Sequence, residues 1–290
     1  MSRRQMGYLF LIPTMTIFFA FAIYPVFRTI YLSFFEYRLQ FGNLKKFIGL
    51  TNYMKMFSSE RFYLSLRFTM LFTFLTVSIE VFLGLIFAQF MNKNYPGKSL
   101  LRVVVLIPWA IPTIVSGFIW RFMVDDIYGV VNGILLSLGI IKEFIPWLSQ
   151  TGSATVVLLV ADIWKTTPYV SLLVLAGLQN IPRSFLEAAE IDGANGLKTY
   201  LYITFPLLKP VLATATLFRL IQSFKVYAIV VALTNGGPAN TTEPLTLFTL
   251  RTYFDAGNYG YGAALASFTF IITVVIALLF LNIILKKVDI

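Results

Sequence analysis

Five ionisable side chains, Glu80, Asp162, Lys165, Arg219 and Lys225, stand inside long apolar runs of this sequence. A charge at bilayer depth costs about 2.5–3.5 kcal/mol on insertion scales, so such residues face a bundle interior or a wet cavity. Asp162, Thr166 and Tyr169 are spaced i, i+4, i+7, which puts them on one helix face. A carboxylate, a hydroxyl and an aromatic ring on one face suit a polyhydroxylated solute such as a sugar. Hydrogen bonds go to its hydroxyls, and the ring stacks on its apolar side. Arg219, Ser223 and Gln222 can form an opposing wall, and Glu80 and Lys165 are further candidates for the same path. A structural role competes at each position. Asp162 and Lys165, at i, i+3, can neutralise one another. Glu80 can pair with Arg219 to hold helices together, and Lys225 can snorkel to an interface. Catalysis has little to work with. The chain has no histidine and no cysteine, which removes the commonest general base, every Ser-His or Cys-His arrangement and thiolate metal sites.

The elements that position these residues are membrane helices. Of the 290 residues, 58% are hydrophobic and 12% charged, about half the charge of a soluble domain. Six runs are long enough to cross a bilayer, which takes about 20 apolar residues. The expected fold is an all-α integral membrane protein, one transmembrane domain over 1–290, with spans near 6–34, 64–92, 100–122, 154–181, 207–233 and 258–285. Helices are expected because an open sheet leaves backbone groups unsatisfied in lipid, and a barrel needs short alternating strands. Arg3 and Arg4 imitate the start of a signal peptide. The apolar run behind them is too long and lacks a small-residue cleavage site, so it reads as a retained helix. The density of lysine and arginine favours cytoplasmic N- and C-termini, although Arg38, Lys45, Lys46, Lys55 and Arg61 weaken that bias. The net charge of +10 is best spent on anionic headgroups of the lipid bilayer; no basic soluble domain exists to bind nucleic acid.

Two short segments invite a motif. Pro96-Gly97-Lys98-Ser99 has the end of a phosphate-binding loop, but Asn92 stands where its first glycine is needed and a membrane helix replaces the leading strand. It reads as a turn. The segment at 182–206 is different. It predicts a short amphipathic helix with Ser184 as N-cap and Glu187 closing a capping box. Gly193 then ends that helix, a second short helix follows, and Pro206 restarts the chain into the fifth span. Such a loop presents a rigid helix to a partner at the membrane surface.

Glu187-Ala188-Ala189, then Gly193, Ile203 and Pro206 resemble the EAA loop of binding-protein-dependent ABC importer permeases. Phe205 stands where that pattern has leucine. Phe47-Ile48-Gly49-Leu50-Thr51-Asn52-Tyr53, Trp164-Lys165-Thr166-Thr167-Pro168-Tyr169 and Thr234-Asn235-Gly236-Gly237-Pro238 resemble segments of the maltose/trehalose-type sugar permeases, in particular the first-type subunit of the permease pair. The resemblance implies a six-helix subunit of an importer in a prokaryotic plasma (inner) membrane, with a cytoplasmic coupling helix between helices 4 and 5. Its implied partners are a second permease subunit, two ATPase subunits and an extracytoplasmic solute-binding protein. ATP-Mg would be bound by the ATPase subunits and no cofactor by this chain, which would not be an enzyme. Glu187, Ala188, Ala189, Asp192 and Gly193 would couple to the ATPase. Positions matching Asp162, Thr166, Tyr169, Arg219 and Ser223 line the sugar cavity in maltose-type permeases. The implied cargo is an α-linked disaccharide such as trehalose or maltose. Another oligosaccharide or glycerol phosphate is the alternative. An ion-coupled secondary transporter would show repeated halves, which the sequence lacks, and a membrane-embedded enzyme would rest on scattered carboxylates.

Overall fold

The computed structural model describes residues 3–39, 42 and 44–288. Both ends of the expected 1–290 domain lie outside the described residues. In chain order the helices are α1 (Arg3–Phe18), α2 (Tyr24–Leu32), α3 (Thr51–Phe57), α4 (Glu60–Asn92), α5 (Lys98–Ala110), α6 (Thr113–Met123), α7 (Val130–Ser137), α8 (Thr151–Gln179), α9 (Arg183–Ile191), α10 (Gly196–Thr199), α11 (Phe205–Phe224), α12 (Ala228–Leu233), α13 (Leu245–Leu250) and α14 (Tyr259–Val288). Among the described residues five helical stretches are long and apolar enough to cross a bilayer: Phe10–Leu32, Glu60–Asn92, Thr151–Gln179, Gly196–Phe224 and Tyr259–Asn282. The pair α5 and α6 supplies a sixth if taken as one span, but it is bent by 96°.

That bend corrects the straight third span expected over 100–122. Pro112 fixes its own φ and pushes Ile111 out of the helical region, where it sits at φ −72° and ψ 132°. The fifth span is also corrected. It starts earlier, at Gly196, and the helix stops at Phe224 instead of running to 233. Ala228–Leu233 forms the separate helix α12.

The chain divides into two compact units. The first comprises Met1–Tyr63 and Leu245–Ile272. It holds a small departure from an all-α fold, an antiparallel hairpin of β1 (Phe35–Tyr37) and β2 (Lys45–Phe47) with Glu36 opposite Lys46. The segment at 47–53 serves this unit as a clamp. Gly49 takes φ +57°, which a residue with a Cβ rarely adopts. The turn it makes leads into α3, where buried Asn52 donates to the Ser33 and Phe35 carbonyls at 2.8 and 3.0 Å. Tyr53 Oη lies 2.7 Å from Ser33 Oγ. Phe57, Phe62 and Phe268 form an edge-on aromatic cluster beside it.

The second unit comprises Leu64–Pro244 and Thr273–Ile290. Its core is apolar, with Ala88, Met91, Val170, Val174, Leu175, Leu178, Leu208 and Ala215 drawn from α4, α8 and α11. Van der Waals packing holds membrane helices together, and small residues allow close approach. Gly84 is such a residue: a Cβ there would lie 2.6 Å from Val170 Cγ1. This close crossing of α4 and α8 brings Glu80 of α4 to the face of α8 that carries Asp162 and Thr166.

Candidate functional site

Three helices each place an ionisable side chain at one point in the second unit. Arg219 of α11 donates from Nε to Glu80 Oε2 at 2.6 Å, and from Nη2 to Glu80 Oε1 at 2.9 Å. Nη2 also reaches Asp162 Oδ2 of α8 at 3.2 Å. All three side chains are buried. Thr166 Oγ1 is hydrogen-bonded to Glu80 Oε1 and lies 2.5 Å from the Asp162 backbone oxygen. Arg219 Nη1 donates to Gln222 Oε1 at 3.2 Å. The guanidinium therefore has every nitrogen aimed at a protein oxygen. Fork geometry matched to a carboxylate makes such a pair strong and directional, and burial makes it costly to break.

The pairing of Asp162 with Lys165, one of the roles the sequence left open, does not form. Asp162 pairs with Arg219, and Lys165 turns to the broken span, where its Nζ lies 3.5 Å from the Trp109 carbonyl. The helix break explains this choice. The last carbonyls of α5 lose their intrahelical partners at Pro112, and a cation suits the negative end of a helix. Lys165 is 5% exposed, and the formal charges of Glu80, Asp162, Lys165 and Arg219 cancel.

A cavity of ≈ 370 Å³ opens beside this cluster. Its polar wall is Asp162, Lys165, Thr166, Arg219, Gln222 and Lys225, and Trp109, Thr113 and Tyr227 join from the broken third span and the end of the fifth. The volume lies within the about 300–1,000 Å³ of small-molecule sites. Irregular backbone at membrane depth is tolerated where it is buried or lines such a cavity, and both helix breaks border this one.

The expected path residues thus separate into two layers. Asp162, Thr166, Lys165, Arg219 and Gln222 reach the cavity. Glu80 and Ser223 lie behind it: Glu80 is buried against Arg219, and Ser223 Oγ lies 2.9 Å from Thr76 Oγ1. Tyr169 does not line the cavity; it stacks on Trp109 with centroids 6.0 Å apart and planes 27° apart. Lys225, at the C-terminus of α11, is exposed and also lines the cavity. Sequence reasoning missed Trp109. Its signal was available in Pro108-Trp109-Ala110-Ile111-Pro112, where two prolines mark a break in an apolar run.

The loop between α8 and α11 is the second candidate region. Helix α9 begins at Arg183, with Pro182 at the cap position and no side-chain cap bond. Ser184 is therefore inside the helix, no acidic residue sits in its first turn, and the expected capping box is absent. Proline suits a helix start because the lost N–H has no partner there anyway. The C-terminal expectation fares better. Gly193 takes φ +75°, and the Gly193 and Ala194 N–H groups bond the Glu190 and Ala189 carbonyls at 3.1 and 2.9 Å. A Cβ at Gly193 would meet nothing within 4 Å, so the demand is for the backbone angle and not for space. Asn195 then caps α10 by accepting from the Lys198 N–H at 2.9 Å. No second free-standing helix follows. A π-helical turn at Tyr200–Thr204 joins α10 to α11, and Pro206 lies in the first turn of α11, within that run. Glu187, Ala188 and Asp192 are exposed and Ala189 is buried. Phe185 and Ile191 are also exposed, an apolar pair that no element among the described residues covers.

The family model described as "Binding-protein-dependent transport system inner membrane component" matches residues 80–289. The trehalose/maltose transport system permease protein MalF of Thermococcus litoralis is 40% identical, with 96% of this chain and 93% of that protein covered. The sulfoquinovosyl glycerol transport system permease protein SmoG of Agrobacterium fabrum is 36% identical, with 98% and 92% covered. Among solved structures, a bacterial ABC transporter involved in the import of the acidic polysaccharide alginate superposes with a TM-score of 0.83 at 21% identity. It covers 98% of this chain and 96% of its own, and shows a common fold.

Proposed function

The chain belongs to the family of binding-protein-dependent transport system inner membrane components, and from that premise we propose that it is the sugar-translocating permease subunit of an ATP-driven importer. It is a multi-pass membrane protein, and its relatives are permease subunits, not enzymes. The observation that carries the sugar reading is the cavity at the break of the third span. Asp162, Thr166, Lys165 and Gln222 offer it donors and acceptors suited to hydroxyl groups, and Trp109 offers a ring. An α-linked disaccharide such as trehalose or maltose is the favoured cargo, supported by the trehalose/maltose permease at 40% identity.

In this reading residues 1–290 act as one transmembrane permease domain of a prokaryotic plasma (inner) membrane, with both termini cytoplasmic. An extracytoplasmic binding protein delivers the solute. This chain pairs with a second permease, and two ATPase subunits bind ATP-Mg. Helix α9 docks on one of them through Glu187, Ala188 and Ala189, with exposed Phe185 and Ile191 as apolar anchors. The turn at Asp192 and Gly193 transmits the ATPase movement into the helix that begins at Gly196 and carries Arg219. Alternating access then moves the sugar inward past Asp162, Thr166, Arg219 and Gln222, with Glu80, Ser223 and Tyr169 supporting that wall and Lys165 flanking it.

A second reading changes only the cargo. Lys225 lines the cavity and has no ion-pair partner among the described residues, which favours an acidic solute such as an anionic oligosaccharide or glycerol phosphate. One experiment separates the two. The importer, assembled with its partners in proteoliposomes, is given radiolabelled trehalose against excess unlabelled maltose, glycerol 3-phosphate or an acidic oligosaccharide. Competition by maltose alone is expected. Competition only by the anions would replace the first reading with the second.

A further inference from the structure

We propose that the segment between α6 and α8, with α7 at its centre, is an interfacial anchor. It beds an outward apolar stripe in the phospholipid leaflet on the side of the membrane opposite the α9 loop. Its occupant is membrane lipid, whatever cargo the cavity carries.

Helix α8 fixes where this segment lies. Its 29 residues, at about 1.5 Å each, span about 44 Å and cross the whole hydrocarbon layer. The Gln179 end leads to α9, so the Thr151 end and the segment before it lie at the opposite membrane surface. Both ends of the segment are tied to helices of the membrane domain, which keeps it at that surface. Its polar groups are satisfied within it. Buried Asn132 accepts from the Ile145 N–H at 3.2 Å and from the Trp147 indole N–H at 2.8 Å, and donates to the Ile145 carbonyl at 3.0 Å. Asp125 Oδ1 accepts from the Ile127 and Tyr128 N–H groups, both at 2.9 Å. After α7 the Leu138, Gly139 and Ile140 N–H groups bond the Ile134, Leu136 and Leu135 carbonyls. Backbone paired in this way can lie against hydrocarbon.

The stripe is inverted relative to a water-facing surface helix, which turns its polar side outward. Here Asn132 is buried, while Ile127, Val130, Ile134 and Leu138, spaced i, i+3, i+7, i+11, are each more than half exposed. No charged residue occurs from Ile127 to Ile141. The charges stand at the borders, Asp125 and Asp126 before the segment and Lys142 and Glu143 after it. Tyr128, 81% exposed, is a side chain suited to headgroup level. The apolar surface continues into α6, where Ile114, Val115, Phe118 and Phe122 are exposed, and no element among the described residues covers it. A binding protein that comes and goes would leave this uncharged stripe in water between encounters, at a hydrophobic cost. Lipid covers it at all times, with the apolar face sunk about 5–10 Å into the boundary of headgroups and acyl chains.

The chain has no cysteine, so Ile134→Cys and Leu138→Cys each give a single nitroxide-labelled position once the importer is assembled with cysteine-free partners. The vesicles are phosphatidylethanolamine and phosphatidylglycerol. Collision of the nitroxide with oxygen, which partitions into hydrocarbon, is compared with collision with a nickel chelate, which stays in water. Lys142→Cys gives the aqueous reference, and a nitroxide-labelled phospholipid gives the hydrocarbon reference. At both stripe positions the ratio of oxygen to nickel collisions is expected to exceed the aqueous reference several-fold and to approach the lipid. A ratio equal to the aqueous reference at either position overturns the anchor and puts the stripe in water. Protection from both reagents also overturns it. The cover is then the second permease if protection is constant, and the binding protein if protection appears only when that protein is added. Should Ile134→Cys not assemble, Val130→Cys reads the same stripe one turn earlier.

Discussion

The charged cavity and the loop around α9 are built on opposite principles. At the cavity, Arg219 is held by Glu80 and Asp162, which lie 139 and 57 residues away in sequence. Its geometry is the product of three packed helices. In the loop, every stabilising bond named above joins residues within five positions, such as Ala194 to Ala189 and Lys198 to Asn195. The side chains at Glu187, Ala188 and Asp192 stay exposed. The cavity therefore fails by leaving charge uncompensated in a dry place. The loop fails by losing one backbone angle.

The largest expected effect breaks the cavity side. Arg219→Met leaves Glu80 and Asp162 buried together without their shared cation. Removing one partner of a buried ion pair costs about 3–5 kcal/mol, so little folded protein should reach the membrane. Thermal unfolding in detergent measures this, and a melting temperature close to the native one would mean that water already reaches these carboxylates. On the loop side, Gly193→Val forces a β-branched residue to φ +75°, a strain of about 1–2 kcal/mol. The subunit should insert normally and bind its binding protein. If this turn couples the chain to an ATPase, as proposed, uptake should fall steeply while ATP hydrolysis continues. Normal uptake in this variant would remove the turn from the coupling path. The smallest effects sharpen the picture of the loop itself. Asn195→Ala removes an observed cap and should cost about 1 kcal/mol. Ser184→Ala removes a hydroxyl that caps nothing and should stay within about 0.5 kcal/mol. Equal losses in these two would restore the capping box at Ser184.

The same contrast explains which expectations held. The spacing of Gly193 after Glu187-Ala188-Ala189 announced a helix stop, since a left-handed residue is a local demand that one glycine meets. Ser184 misled because serine followed by glutamate at the third position imitates a cap, while Pro182 two residues earlier is the stronger start signal. The long helix from Gly196 was hidden by Pro206, which reads as a restart. A π-helical turn just before it carries the chain on into α11. The pairing of Glu80 with Arg219 was one of two roles the sequence left open for them, and tertiary packing chose it. Asp162 was drawn from its helical neighbour Lys165 to Arg219 because a guanidinium satisfies two carboxylates at once, while an ammonium can cap the broken end of α5.

By itself the sequence determined the solvent, the apolar spans and the loop, because lipid demands unbroken apolar length and a helix end demands particular residues at fixed local spacing. Only the tertiary structure decided that Arg219 is shared by Glu80, Asp162 and Gln222, and that Trp109 stands at the cavity with Tyr169 stacked on it. These depend on which helix faces which, and that is set by close packing at residues such as Gly84 and by the pairing of buried charges across helices, neither of which leaves a periodic trace along the chain.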